Sequence, residues 1–168
     1  MKLNTTTAKQ AFTLMELMIV IVIIGILAAV GMVTFGGQAE KAKIAASKTN
    51  FKNAIKWIRV ELIQCNAGLS DKMFTSNPQS CPITHSNNFS SGMNNACRAP
   101  GGVFSEIKNP YDQTQRACRL AIEYKRDVDV GYFNWSQKDW QNIRFSSCWK
   151  KPCNDTNNHE QIIINVTE

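Results

Sequence analysis

The sequence contains little of what catalysis or metal binding by side chains requires. It has only two histidines, His85 and His159, and no serine, cysteine or acid cluster accompanies either at a recognisable catalytic spacing. No glycine-rich phosphate loop is present, because the glycines lie in the amino-terminal apolar run or in isolated turns. The sequence therefore predicts a protein that is not an enzyme, with no catalytic residues, no metal site and no cofactor.

Closely spaced cysteines are missing as well, which argues against a zinc site or a thioredoxin-type redox pair. Six cysteines follow the apolar run, namely Cys65, Cys81, Cys97, Cys118, Cys148 and Cys153. An even number of cysteines behind an export segment is typical of disulfides formed in an oxidising compartment. Many pairings are possible. We expect near neighbours to pair, so that the first cysteine bonds the second, the third bonds the fourth and the fifth bonds the sixth.

Charged residues are absent between Glu16 and Glu40. Residues 17–35 are apolar apart from glycines and Thr34, and as a helix they would span about 28 Å, close to a bilayer core of about 30 Å. The formal net charge of +6 is scattered along the chain and is weak evidence for a nucleic-acid site. We therefore expect a membrane segment followed by a solvated domain, with DNA as a weakly supported partner.

The apolar segment has three interpretations. A secretory signal peptide fits the basic leader and the sequence AVG at residues 29–31, but the run is long enough to span a membrane. A simple signal-anchor leaves Glu16 unexplained, although a carboxylate beside hydrocarbon is energetically costly. Cleavage after Ala11 would instead remove a short polar leader and leave the apolar segment on the product.

Residues 11–17, AFTLMEL, and the run MIVIVIIGILAAVG that follows resemble the class III signal of type IV pilins and type II secretion pseudopilins. Gly25 stands where this family usually has a glycine. Two positions differ, because the family usually has glycine at the position of Ala11 and often has proline at that of Val33. The resemblance implies that a prepilin peptidase cleaves between Ala11 and Phe12 and methylates the new amino terminus of Phe12.

The resemblance also implies roles in assembly for Glu16 and Gly25. Inside a packed bundle of helices an unpaired carboxylate costs several kcal/mol, so Glu16 is expected to pair with the amino terminus of a neighbouring subunit and to set the register. Pairing within one helix is the alternative, since its first and fifth residues are neighbours. An interfacial acid without a specific role is the third possibility. Gly25 would permit close helix contact.

The whole chain predicts an α+β fold, in which one long helix over residues 12–66 packs on a small antiparallel sheet headpiece with disulfides. In the second half of the helix, apolar residues recur at helical spacing, at Ile44, Phe51, Ile55, Ile58, Leu62 and Cys65. Strands are predicted at residues 118–125, 130–136, 143–149 and 161–167, with a weaker candidate at 103–107. Residues 126–129, RDVD, are expected to connect the first two strands as a hairpin.

These patterns divide the chain into five segments: a leader at 1–11, a transmembrane and polymerisation half-helix at 12–37, an amphipathic half-helix at 38–66, a helix-to-sheet loop at 67–101 and a sheet headpiece at 102–168. The loop is rich in Asn, Ser, Pro and Gly and is interpreted as lacking periodicity. Asp127 and Asp129 are a weak calcium candidate, and a plain turn is the favoured interpretation.

The favoured function is that of a structural subunit of a bacterial type IV pilus, serving adhesion, motility or DNA uptake. A type II secretion pseudopilin is the alternative, and a membrane-anchored periplasmic binding module is the third hypothesis. The expected partners are copies of this chain and other pilins in a helical filament, the prepilin peptidase, the inner-membrane assembly platform and the membrane. We expect the protein in the inner membrane with a periplasmic headpiece before assembly, and in an extracellular pilus afterwards.

Overall fold

The computed structural model describes residues 12–74, 79–120 and 126–168, with the side chains of residues 33–36 excepted. The chain forms two compact units, Met1–Glu40 and Lys41–Glu168. The predicted α+β class, with a long amino-terminal helix, small sheets and three disulfides, is confirmed. In the described part of the first unit, Phe12 and Thr13 precede a single helix.

In chain order the elements are α1 (Leu14–Asn66), β1 (Lys72–Met73), β2 (Gln79–Ser80), α2 (Ser86–Arg98), β3 (Lys108–Asn109), β4 (Asp112–Arg116), β5 (Cys118–Leu120), a 3₁₀ turn (Asp127–Asp129), β6 (Phe133–Gln137), β7 (Asn142–Cys148) and β8 (His159–Asn165). The four-stranded sheet has the order β5-β6-β7-β8. β1 pairs with β2, and β3 pairs with β4, as separate antiparallel ribbons. Within the larger sheet, β6–β7 and β7–β8 are antiparallel.

The second half of α1 buries its predicted apolar stripe in the core of the Lys41–Glu168 unit. Every member of the stripe from Phe51 to Cys65 is buried, and Ile44 is half-buried. The edge strand β8 alternates as predicted, since Ile164 is buried whereas Ile163 is exposed. Apolar residues repeat every 3.6 residues in the helix and every two residues in the strand, and the two apolar faces therefore contribute to one core.

The interpretation of residues 67–101 as a loop without periodicity is wrong over α2. This helix buries one face through Phe89, Gly92, Met93, Ala96 and Cys97, which follow helical spacing. The Asn and Ser residues between these positions make the segment polar in composition, which obscures the helical spacing of its apolar residues. Position 92 lies close to Phe74, and a Cβ there would overlap the Phe74 ring, which explains the glycine.

The predicted hairpin between the first two strands is also wrong, because β5 and β6 are parallel, with Cys118 opposite Phe133. Parallel neighbours need a crossover of about a dozen residues, and the chain between the two strands supplies it. Residues 121–125 of the predicted strand lie outside the described residues. The sequence RDVD forms the 3₁₀ turn, whose buried Asp129 is ion-paired with Arg119 of β5. This pair holds the crossover against β5.

The weaker strand candidate at residues 103–107 forms turns. The backbone N–H of Phe104 donates to the carbonyl of Ala96 at 3.0 Å, and the Ser105 hydroxyl donates to the carbonyl of Gly102 at 2.8 Å. These bonds tie the segment to the end of α2 and to itself. The backbone N–H of Ser105 also donates to the carbonyl of Gly102, at 2.9 Å, so the N–H groups of Phe104 and Ser105 are both occupied and unavailable to a strand ladder.

The cysteines form the near-neighbour pairs, Cys65–Cys81, Cys97–Cys118 and Cys148–Cys153. The first bond joins the last turn of α1 to the residue after β2, and the second joins α2 to β5. The third closes a short loop after β7. The disulfides therefore connect elements around the core, including α2, which the composition of the sequence did not reveal.

The connection between β6 and β7 depends on Asp139. Its Oδ1 accepts hydrogen bonds from the backbone N–H groups of Gln141 at 3.0 Å and Asn142 at 2.9 Å. The same oxygen accepts a bond at 2.8 Å from the Asn142 side-chain amide. The Asn142 side chain, followed by the Gln141 N–H, lowers the pKa of Asp139, because these donors stabilise the charged form.

We expect Asp139→Ala to lower the melting temperature of the full chain in detergent at neutral pH. Since the pKa is lowered in the folded state, this stabilisation is complete above the ordinary aspartate pKa of about 3.9 and is lost as the pH falls through the folded value. The melting-temperature difference from wild type should therefore shrink in acid, as followed by circular dichroism. Asp139→Asn is the matched control, because it keeps an acceptor oxygen and cannot titrate. An equal difference at every pH would contradict the prediction.

Candidate functional site at the amino-terminal helix

The segment Leu14–Met32 is 19 residues long and is apolar enough to cross a membrane, judged by length and composition. None of it is buried within the chain, which separates it from the core helix of a soluble protein. Side chains are exposed on every side of the helix, from Leu14 at 80% to Met32 at 77%. A helix that is apolar all round needs a cover of lipid or of other protein.

Glu16 has a defined partner at the start of this helix. Its Oε2 accepts hydrogen bonds from the backbone N–H and the hydroxyl of Thr13, each at 3.0 Å. The backbone N–H of Glu16 in turn donates to Thr13 Oγ1 at 3.2 Å. This reciprocal arrangement is a capping box, in which the residue before a helix and its third residue satisfy each other's backbone donors.

The capping box is a role for Glu16 that the sequence analysis missed. The signal was readable, since Thr13-Leu14-Met15-Glu16 has the spacing Thr-x-x-Glu immediately before an apolar run. The box gives Glu16 hydrogen-bond partners within the single chain. Both Thr13 donors lie on Oε2, so a partner in an assembly could bond to the second carboxylate oxygen or take the place of Thr13.

Gly25 has no contact in the chain that requires a glycine. A Cβ built there would meet nothing within 4 Å. Because a glycine inside a helix costs about 1 kcal/mol relative to alanine, its presence is not explained by the stability of the single chain. Of the two residues at the expected cleavage site, Phe12 lies before the first residue of α1, whereas Ala11 lies outside the described residues.

The calcium candidate is a structural turn. The side chain of Asp129 is completely buried and is ion-paired with Arg119. Asp127 Oδ1 accepts a hydrogen bond at 2.8 Å from the backbone N–H of Cys153. In the described part of the chain, no three His, Cys, Asp or Glu side chains form a group that could hold a metal ion.

Comparison with known proteins decides the nature of the amino terminus. Residues 6–32 match the family model of the prokaryotic N-terminal methylation motif. The chain carries a class III prepilin signal. The resemblance to type IV pilins and pseudopilins is thereby confirmed for this segment. No curated protein and no solved structure matches the chain.

The prepilin signal supports a structural protein of the type IV pilin or pseudopilin kind. It implies processing by a prepilin peptidase and polymerisation with other pilins. Together with the uncovered apolar helix, it fits anchoring in a membrane before assembly.

We expect Thr13→Val to weaken the start of α1 by about 1 kcal/mol, because the variant removes the hydroxyl of the capping box. In detergent micelles, amide hydrogen exchange of Glu16 should become about fivefold faster, as measured by NMR. Thr13→Ser is the matched control, since it keeps the hydroxyl. Equal exchange in the two variants would show that the box does not hold the helix start in solution.

Proposed function

We propose that this protein is a structural pilin subunit of a bacterial type IV pilus, polymerised through α1 and serving adhesion, motility or DNA uptake. The observation that carries the proposal is the coincidence of two features in one segment. Residues 6–32 match the methylation motif, and Leu14–Met32 is a membrane-length helix that its own chain leaves uncovered. The inner membrane covers that helix first, with the headpiece in the periplasm, and neighbouring subunits cover it in the extracellular filament.

Processing removes residues 1–11 and leaves Phe12 as the methylated amino terminus. Phe12 and Thr13 precede the helix, and the Phe12 side chain is exposed, which supports access to this end of the segment. The capping box begins at Thr13 and uses no residue of the leader. Cleavage before Phe12 therefore leaves every partner of the box on the product.

Assembly through the inner-membrane platform exchanges the partner of Glu16. In a single subunit the carboxylate accepts from Thr13 at an exposed helix end. In a packed filament, water is excluded, and a charged carboxylate needs a cation to offset the loss of hydration. The methylated amine of a neighbouring Phe12 supplies it. A subunit in the wrong register leaves this charge unpaired, so Glu16 selects the correct axial offset.

Gly25 permits a neighbouring helix to approach closely. Its position is open in the single chain, so a neighbour can occupy the space that a side chain would fill.

A type II secretion pseudopilin is the alternative, because the same signal serves both assemblies. The six cysteines and the long segment between α1 and the larger sheet favour the pilus. An anchored periplasmic binding module is the third candidate, which the processed amino terminus would exclude. Sheared surface fibres that contain this chain would distinguish a pilus from a secretion pseudopilus.

Amino-terminal sequencing tests processing directly. We expect the mature chain to begin with N-methylated Phe12, because the signal matches at residues 6–32. Mass spectrometry of the amino-terminal peptide, with and without the peptidase, makes the measurement. An intact Met1, or a start after Gly31, would remove the pilin hypothesis.

A second experiment separates the two roles of Glu16. We expect Glu16→Ala and Glu16→Gln to abolish incorporation into sheared fibres while the subunit still fractionates with the membrane. Thr13→Val should still assemble, because it removes the hydroxyl of the capping box and keeps the charge of Glu16. If Thr13→Val and Glu16→Ala fail equally, Glu16 acts through the helix cap and the proposed pairing with a neighbour is wrong.

A further inference from the structure

The Lys41–Glu168 unit gathers four cations around one open cleft of about 480 Å³. Its lining residues are Arg98, Lys108, Thr114, Gln115, Arg116, Cys118, Arg119 and Tyr132. They come from the end of α2, the β3–β4 ribbon, β5 and the residue before β6. No acidic residue belongs to the described lining. The fold therefore brings together at this place four basic residues that are separate in the sequence.

Two of these cations face each other across the β3–β4 ribbon. Lys108 of β3 lies directly opposite Arg116 of β4 in the strand register. Like charges at directly opposed positions destabilise a strand pair. Among the described residues, neither side chain forms an ion pair, and neither does Arg98. Folding of the ribbon does not explain this arrangement, whereas an anion bound between the two cations would relieve their repulsion.

The side chain of Arg119 lines the cleft and is held in place by its neighbours. Its guanidinium is ion-paired with the buried Asp129, and its Nε donates to Asn134 Oδ1 at 3.2 Å. The guanidinium carbon also lies 4.1 Å from the centre of the Tyr132 ring. This contact covers one face of the Tyr132 ring, so that face is closed to stacking by a nucleic-acid base.

We propose that the cleft binds an acidic oligosaccharide through its sulfate or carboxylate groups. Arg98, Lys108 and Arg116 supply charge-assisted hydrogen bonds to the anionic groups. Gln115 is exposed on β4 and can bond to sugar hydroxyls. The Thr114 hydroxyl already donates to Asp112 Oδ1 at 2.6 Å and can accept such a bond. The volume falls in the range of pockets for compact ligands, about 300–1,000 Å³. Every lining residue lies in the Lys41–Glu168 unit, so binding does not depend on polymerisation.

Binding can be measured by calorimetry with the full chain in detergent micelles and a heparin-derived tetrasaccharide at about 0.15 M salt. We expect the double variant Lys108→Gln/Arg116→Gln to bind at least about tenfold more weakly, since it removes two charge-assisted contacts. Its melting temperature should equal or exceed that of wild type, because the opposed charges are gone. Loss of binding through misfolding would instead lower the melting temperature.

The matched control is Lys150→Gln/Lys151→Gln, which removes the same charge from exposed positions outside the cleft. It should keep the affinity of wild type. Equal loss in both double variants would reduce the interaction to non-specific charge attraction and overturn the proposal. Absence of saturable binding, equal binding of an uncharged tetrasaccharide, or tighter binding of a short DNA duplex would also overturn it.

Discussion

The apolar surface of α1 is the constraint on which the rest of the molecule depends. Its second half is amphipathic, and α2 and the larger sheet bury the stripe from Phe51 to Cys65. Its first half, Leu14–Met32, is apolar on all sides and has no cover within the chain. Apolar burial is non-directional, so lipid and neighbouring helices can both satisfy this half. Apolar contact therefore does not fix the position of a neighbouring helix. Polar groups must do so, and Glu16 supplies a carboxylate at the start of α1.

Charges in this molecule have three different environments. The buried carboxylate of Asp129 has Arg119 as its counter-ion, and this pair fixes the crossover before β6. The exposed carboxylate of Glu16 is held by hydrogen bonds to an uncharged neighbour. Lys108 and Arg116 oppose each other without an acid among the described residues. The first arrangement serves folding, whereas the other two leave charge that can bind a partner from outside the chain.

Local patterns predicted much of this structure, and non-local pairing explains most of what they missed. The long helix, its buried stripe and the strands β7 and β8 follow from spacing alone, because each element carries its own period. The parallel partner of β5 could not be predicted in this way, since strand direction depends on a crossover held by Asp129. α2 was readable from Phe89, Met93 and Ala96, but its many Asn and Ser residues suggested a loop. The Thr13–Glu16 box was also readable, whereas the cationic cleft was not, because its residues come from separate elements.

The capping box affects the cost of holding a subunit in the membrane before the proposed assembly. A carboxylate at the edge of hydrocarbon would ordinarily make a waiting subunit costly to store in a bilayer. Because Thr13 already donates two hydrogen bonds to Glu16 Oε2, part of that cost is offset while a subunit stays in the membrane. In the filament proposed above, the amine of a neighbouring subunit would bond to the same carboxylate, which has a second oxygen to accept it. Such a contact is reversible in principle, so a subunit that left the filament would still have its hydrogen bonds with Thr13.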